Sequence, residues 1–329
     1  MRICVFGAGA VGGHLAAKLA AAGHEVSVVA RGANLEAIRA RGIVLHTGGR
    51  RVAVRVRASD RPEDLGAQDA VFVTTKATAL QALAAAVAPL SGPDTVFVFA
   101  QNGIPWWYAQ GLSVSRPRPP DLSRLDPGGG LARALAPDRV IGGVVYSSND
   151  LAEPGVIHNF TPGQNMLVLG APDDRPAERV AQLRAALEAA DMHSPPTSDI
   201  RQSVWHKLLS NFGSSLCVPL GEPLRALQED PEMRETRERL MAEGRAIARA
   251  HGVSVEDAPQ RPGGPRLPAV AQHKPSMLQD YELGRPMEIE AILATPRAFA
   301  RAAGVPVPTL DAVATIIQRL AAAKGLYAR

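Results

Sequence analysis

Six residues near the start of the chain, Gly7-Ala8-Gly9-Ala10-Val11-Gly12, carry the G-x-G-x-x-G spacing. In a phosphate-binding turn the first glycine permits the tight turn, the second lets backbone approach a pyrophosphate, and the third lets helix and strand pack closely. A helix opening there offers free N–H groups and a positive dipole end to the phosphates. The spacing alone also fits a Gly-rich turn without a ligand. Its context makes it informative: an apolar run over residues 1–6 precedes it, an Ala-rich helical stretch follows, and a second apolar run covers residues 25–30. Arg31 ends that second run, where NAD-preferring sites usually carry Asp or Glu. A guanidinium cannot accept from ribose hydroxyls but suits a 2′-phosphate, so the ligand implied is NADP(H). The competing reading makes Arg31 one more surface arginine of an Arg-rich chain.

The elements that must position these residues follow from periodicity. Residues 70–74 and 95–100 read as further buried strands, separated by an Ala-rich helix over 80–90, and strand-like runs resume at 140–147 and 166–169. Strands alternating with helices predict a doubly wound, mostly parallel sheet covered on both faces. A helix is expected from about 176 to 190, and residues 194–199 (SPPTSD) read as a linker. Beyond it the helical segments 200–216, 231–251, 276–283, 287–303 and 309–323 predict an all-α C-terminal domain. The fold expected is an α/β Rossmann domain over residues 1–195 and a helical domain for substrate binding and dimerisation over 196–329. Within the first, the Pro- and Gly-rich stretch 111–136 reads as a surface excursion.

Composition narrows the function classes. The 329 residues carry a formal net charge of +4, with 46% hydrophobic residues. The surplus of positive charge is small and no basic run is interleaved with aromatics, which argues against nucleic-acid binding. No apolar run is long enough to span a bilayer, so no membrane association is expected. Cys4 and Cys217 have no paired spacing, which argues against disulfides and zinc and fits a cytoplasmic protein. No His, Cys or carboxylate cluster has metal-ligand spacing, so no metal is expected. His14 is expected to face solvent on the first helix. Trp106-Trp107-Tyr108 either line a cleft or form core.

The other residues able to do chemistry lie in four segments. These are Ala100-Gln101-Asn102-Gly103-Ile104; Trp205-His206-Lys207-Leu208 with Asn211; His273-Lys274-Pro275-Ser276-Met277-Leu278-Gln279-Asp280; and Met287-Glu288-Ile289-Glu290. With GAGAVG, their order and spacing resemble the ketopantoate reductase (2-dehydropantoate 2-reductase) family over nearly the whole chain. The resemblance implies a C-terminal domain like that of 6-phosphogluconate dehydrogenases. It implies NADPH-dependent reduction of a small 2-oxo acid to a 2-hydroxy acid, in a cleft between the domains. For the named enzymes the substrate is ketopantoate, on the route to pantothenate and coenzyme A. A homodimer is also compatible with the family.

The resemblance assigns roles residue by residue. Lys207 matches the general acid; an ammonium can stabilise a developing alkoxide and give up a proton, which arginine can hardly do. The competing reading is a surface lysine lying over Trp205. Asn211, one helical turn on, matches a substrate ligand. Ser276 and Glu288 match substrate-contacting positions, with Glu288 taking a distal hydroxyl or orienting Lys207. Their alternatives are a helix cap and a favourable charge in a first turn. Asn102 is expected beside nicotinamide or substrate, or as a plain turn residue. Lys76, after another strand end, is expected near the adenosine phosphate.

Three departures bear on the substrate. Ser215 stands where family members often carry a second asparagine, and is expected to contact substrate with shorter reach. Leu293-Ala294-Thr295-Pro296 replaces a small Gly-containing segment, and Pro296 is expected to bend its helix. The 111–130 stretch is longer than a minimal member would have. Three readings remain open: ketopantoate reductase; a paralogue reducing another 2-oxo acid, including aromatic ones of the mandelate type; and a non-catalytic NADPH-binding protein.

Overall fold

The apolar strand β1 (Arg2–Phe6) is buried at every position after Arg2, which requires neighbours on both edges and cover on both faces. The computed structural model describes residues 1–174, 177–256, 262 and 272–327. In it β1 lies parallel between β2 (Glu25–Val29) and a later strand, Gln68–Val73. In chain order the strands are β3 (Ile43–Thr47), β4 (Arg50–Val54), β5 (Arg57–Ser59), β6 (Gln68–Val73), β7 (Ser91–Phe99), β8 (Val140–Val145), β9 (Asn149–Glu153), β10 (Val156–Asn159) and β11 (Leu167–Gly170). The main sheet runs β11-β8-β7-β6-β1-β2-β5, parallel except where β11 pairs with β8. Phe6 pairs with Val29 and Val73, and Val73 with Phe99, so the carboxyl ends of four strands stand level. The strand order reverses about β1, the place where open α/β sheets bind ligands.

A second sheet, β4-β3-β10-β9, was not expected from the sequence. It covers helix α1 (Ala10–Ala21), which packs on β1 and β2 and also on β3, β4, β9 and β10. Gly13 lets the second sheet approach: a Cβ there would stand 2.7 Å from Ile157 Cδ1. A helix between two sheets buries most of its faces, leaving only its two ends partly exposed. This corrects the expectation for His14, which is buried, its imidazole pushed down to about 3 by burial, with a smaller contribution from the Lys18 charge. Helices α2 (Gly32–Arg41) and α5 (Glu178–Ala189) share the α1 core through Leu35, Ile38, Leu183 and Leu187, whereas α3 (Gln81–Leu90) and α4 (Gly130–Ala134) pack on each other. The expected start of α5 at residue 176 lies outside the described residues.

The chain divides into two compact units. Among the described residues, the first takes in those of Met1–Gln101 and 128–200, and the second those of Asn102–Pro127, 201–256 and 272–327. The expected boundary at 195/196 falls short because the linker is anchored in the first unit: Ser194 is buried and its hydroxyl donates to the Leu167 carbonyl at 2.7 Å. The 111–136 stretch is not one excursion of the first domain. Its residues up to Pro127 belong to the second unit, and Leu125, Leu131 and Leu135 are buried.

The second unit is helical: α6 (Ile200–Ser215, whose first residue belongs to the first unit), α7 (Cys217–Leu220), α8 (Leu224–Glu229) and α9 (Pro231–Ala250), then helices Ser276–Glu282, Thr295–Ala302 and Pro308–Ala323. Asp230 caps α9, its carboxylate accepting from the N–H groups of Glu232 and Met233. Phe299 sits edge-on to Tyr108, Trp205 and His251, and Trp205 Nε1 donates to the Tyr108 hydroxyl at 2.7 Å. Of the two readings for Trp106-Trp107-Tyr108, core is the one observed; all three are buried. Arg201, fully buried, donates to the carbonyls of Tyr108 and Gln110 and so pins this segment to α6.

Candidate active site

The loop between β1 and α1 is shaped by its glycines. Gly7 has φ +105°, and a Cβ there would stand 2.6 Å from Thr75 Cγ2. A Cβ on Gly12 would stand 2.0 Å from the Gly7 carbonyl oxygen, so only glycine lets the first turn of α1 close on the loop. At Gly9 the same test meets nothing within 4 Å, leaving open space where backbone must approach a ligand. Gly9 caps α1 without a side-chain hydrogen bond, and Ala10 and Val11 form its first turn. The end of the helix therefore keeps donors available for an anion.

Side chains that sequence reasoning missed hold the loop. Asn34 Nδ2 donates to the Ala8 carbonyl at 2.7 Å, while Asn34 Oδ1 accepts from the Gly155 N–H at 2.8 Å. Thr74 Oγ1 donates to the Gly7 carbonyl at 2.7 Å, and Gln101 Nε2 to the carbonyls of Val73 and Thr75. Thr just past a strand end and Asn in the first turn of a helix are common, so their types alone carry no signal. A cavity of about 240 Å³ lies here, lined by Gly7, Ala8, Gly9, Arg31, Asn34 and Thr75 among others. Exposed Arg31 is the cation on its wall, at the start of α2. Thr75 Oγ1, on the cavity wall, is buried without a partner among the described residues. Lys76 follows Thr75 at the start of a helical turn but does not line the cavity.

The second unit supplies side chains rather than a backbone cradle. Lys207 and Asn211 lie one turn apart on α6, both half-buried. The Asn211 Nδ2 atom is buried and has no partner among the described residues, a donor left for a ligand. Ser215, one turn further, goes against its expected role. It is 1% exposed, and its hydroxyl donates to the Phe212 carbonyl at 2.7 Å. A short hydroxyl on a helix reaches its own backbone more readily than a ligand.

The Asn102 loop is seated on the segment that follows Glu288. Gly103 has φ +84°, and a Cβ there would stand 2.5 Å from the Ala291 carbonyl oxygen. The Ile104 N–H donates to that oxygen at 2.8 Å. Residues 287–303 are not the single helix expected: Glu290–Ala294 is a π-helical turn in which the Thr295 N–H reaches back to the Glu290 carbonyl. Pro296 supplies the reason. Having no N–H, it cannot continue that pattern onto the Ala291 carbonyl, which is left free for Ile104. Glu288 is buried immediately before this turn. Ser276 is exposed in the first turn of its helix, and Pro275 rather than Ser276 holds the cap position.

The thiols of Cys4 and Cys217 are both pushed up to about 12, in each case chiefly by burial, so neither is a nucleophile at neutral pH. Among the described residues no His, Cys, Asp and Glu group could hold a metal ion, and no helix is long and apolar enough to cross a membrane.

A dinucleotide-type glycine loop at the reversal point of a parallel sheet, with a helical unit bearing a lysine, defines a nucleotide-dependent oxidoreductase class. Comparison with known proteins narrows it. Residues 3–106 match the family model "Ketopantoate reductase PanE/ApbA" and residues 199–321 match its C-terminal counterpart. A 2-dehydropantoate 2-reductase of Mesorhizobium japonicum is 40% identical over 99% of this chain and 100% of its own length. The crystal structure of 2-dehydropantoate 2-reductase from Geobacter metallireducens superposes with a TM-score of 0.80 at 26% identity, covering 97% of this chain and 99% of that one. D-mandelate dehydrogenase in ternary complex with NADH and anilino(oxo)acetate also gives 0.80, at 17% identity over 99% and 100% of the chains, and shows the shared fold. This chain belongs to the ketopantoate reductase family.

Proposed function

We propose that the protein reduces 2-dehydropantoate (ketopantoate) to pantoate with NADPH. The observation that carries this reading is the full-length 40% identity to a 2-dehydropantoate 2-reductase, in a chain whose glycine loop and α6 lysine both fit the reaction. The loop suits the dinucleotide: Gly9 leaves room for its pyrophosphate, Gly7 and Gly12 admit no side chain, and Arg31 takes the 2′-phosphate. Ala8, Ala10 and Val11 offer backbone to the phosphates, and Lys76 and Asn102 are further proposed contacts. The nicotinamide, when bound, supplies hydride to the carbonyl carbon of the substrate.

The chain's own groups handle the rest. As hydride arrives, the carbonyl oxygen gains negative charge and needs a proton. The Lys207 ammonium donates it and is left as the amine, to be reprotonated from solvent. The unpartnered Asn211 amide donates to the substrate, and the Ser276 hydroxyl donates to its carboxylate. Glu288 orients Lys207 or accepts from the distal hydroxyl that distinguishes ketopantoate from simpler oxo acids. Asn102, in the loop held by the Gly103–Ala291 contact, lies by the nicotinamide or the substrate. The domain roles follow: cofactor on the first unit, substrate groups on the second. A cytoplasmic setting suits two buried, unpaired cysteines.

NADPH oxidation across a panel of 2-oxo acids tests this. Ketopantoate is expected to give the highest kcat/KM, by at least about tenfold over pyruvate and phenylglyoxylate, as one recognised hydroxyl can discriminate. A higher value for phenylglyoxylate would replace the substrate by an aromatic oxo acid. NADPH binding without turnover of any acid would make the chain a binding protein.

A further inference from the structure

Four arginines of the second unit surround a cavity that the proposed reaction does not use. The cavity measures about 440 Å³ and is walled by Arg124, Arg297, Arg301 and Arg319, with Gln318 and Tyr327. Two of the four guanidiniums are countered: Arg124 lies 3.3 Å from Glu290, and Arg297 lies 2.6 Å from Asp311. Arg301 and Arg319 have no hydrogen-bond or ion-pair partner among the described residues. Arg297 and Arg301 are one helical turn apart on Thr295–Ala302, so both project from one face. Arg319 comes from a different helix, Pro308–Ala323, and Arg124 from the helical turn Ser123–Leu125. Cations gathered from three separate elements around one concavity do not result from an Arg-rich composition spread evenly over a surface. Tyr327 keeps its proton, its hydroxyl pushed up to about 12 by burial and by Glu290, to which it donates at 2.7 Å. It therefore adds no negative charge to the wall.

We propose that this cavity is a binding site for a small phosphate-bearing anion carrying two or more negative charges, with diphosphate the matching chemistry. Guanidiniums pair with phosphate oxygens two bonds at a time, and an anion placed here would supply the counter-charge that Arg301 and Arg319 lack among the described residues. The Glu290 that pairs with Arg124 opens the π-helical turn on which Ile104 is seated, so the cavity wall and the Asn102 loop share one element.

Isothermal titration of inorganic pyrophosphate into the full-length protein tests the site, with thermal unfolding rather than turnover certifying the fold of each variant. Failure of the reductase reading therefore leaves this test unaffected. Binding in the wild type is expected to weaken at least about tenfold in the Arg301→Gln/Arg319→Gln variant. The Arg301→Lys/Arg319→Lys variant keeps the charge but not the paired geometry, and is expected to fall between the two. Equal affinity in wild type and the glutamine variant, or no binding at millimolar pyrophosphate, would overturn the proposal. So would a drop in molar mass by light scattering in the glutamine variant, which would make the cavity an interface between two copies.

Discussion

The glycine loop of the first unit and the α6 face of the second are two ways of presenting polar groups to a ligand. The loop is made of backbone, and its shape is dictated by what cannot be present: a Cβ at Gly7 or Gly12 would overlap Thr75 or the Gly7 carbonyl. The α6 face is made of side chains, Lys207 and Asn211, whose usefulness depends on what surrounds them. A backbone site tolerates few sequences and so announces itself. A side-chain site can be imitated by any surface helix, since Lys and Asn are common exposed residues.

The comparison is sharpened first at Lys207. Lys207→Ala is expected to lower kcat by about 10²–10⁴-fold, the range for losing a general acid, while NADPH binding persists. Near-normal turnover in a steady-state assay would remove the lysine from the mechanism. Next comes the loop. Arg31→Ala is expected to weaken NADPH binding by roughly 1.5–3 kcal/mol and leave NADH binding unchanged, measured by fluorescence titration. Parallel losses for both cofactors would mean that Arg31 does not read the 2′-phosphate.

Between the two extremes lies the Asn102 loop, which depends on a single close approach. Gly103→Ala places a Cβ against the Ala291 carbonyl at φ +84° and is expected to cost about 1–3 kcal/mol in thermal stability, with a fall in kcat/KM for the oxo acid. An unchanged melting curve would show that the loop can reseat.

His14 separates fold from site. Burial holds its imidazole down to about 3, below the ordinary value near 6.5, so above pH 6.5 both folded and unfolded forms carry mostly neutral imidazole. As pH falls from 6.5 towards 3 the unfolded chain takes up a proton that the folded chain refuses. Stability is therefore lost on acidification, by at most about 1.4 kcal/mol per pH unit from this group. Urea unfolding of wild type and His14→Gln at pH 7 and pH 5 should show a shallower decline in the variant. Identical declines would mean that the buried imidazole is not the titrating group. The smallest effect is expected at Ser215. Because its hydroxyl is satisfied by Phe212, Ser215→Ala should leave KM for the oxo acid within about twofold of wild type. A tenfold rise would restore it as a substrate ligand.

Much of this was legible in advance. The runs 1–6, 25–30, 70–74 and 95–100 correspond to β1, β2, β6 and β7, since buried parallel strands read as continuous apolar runs. The second sheet was not legible, because β4 and β9 are short and partly exposed and carry no unbroken apolar run. Without that sheet α1 reads as one-sided and places His14 in solvent, whereas both sheets pack on it.

By itself, the amino-acid sequence determined the parts governed by local rules. It determined the glycine loop, where steric exclusion acts between residues close in the chain, the alternation of strands and helices, and the order of motifs that marks the family. Only the tertiary structure decided the parts that depend on partners distant in sequence. Asn34 bridges Ala8 and Gly155, and Ser215 turns back onto its own helix. Pro296 leaves the Ala291 carbonyl free for Ile104, nearly two hundred residues away in the chain. Propensity and periodicity are summed over neighbours, whereas a free carbonyl or an unpaired guanidinium is defined by what else arrives beside it.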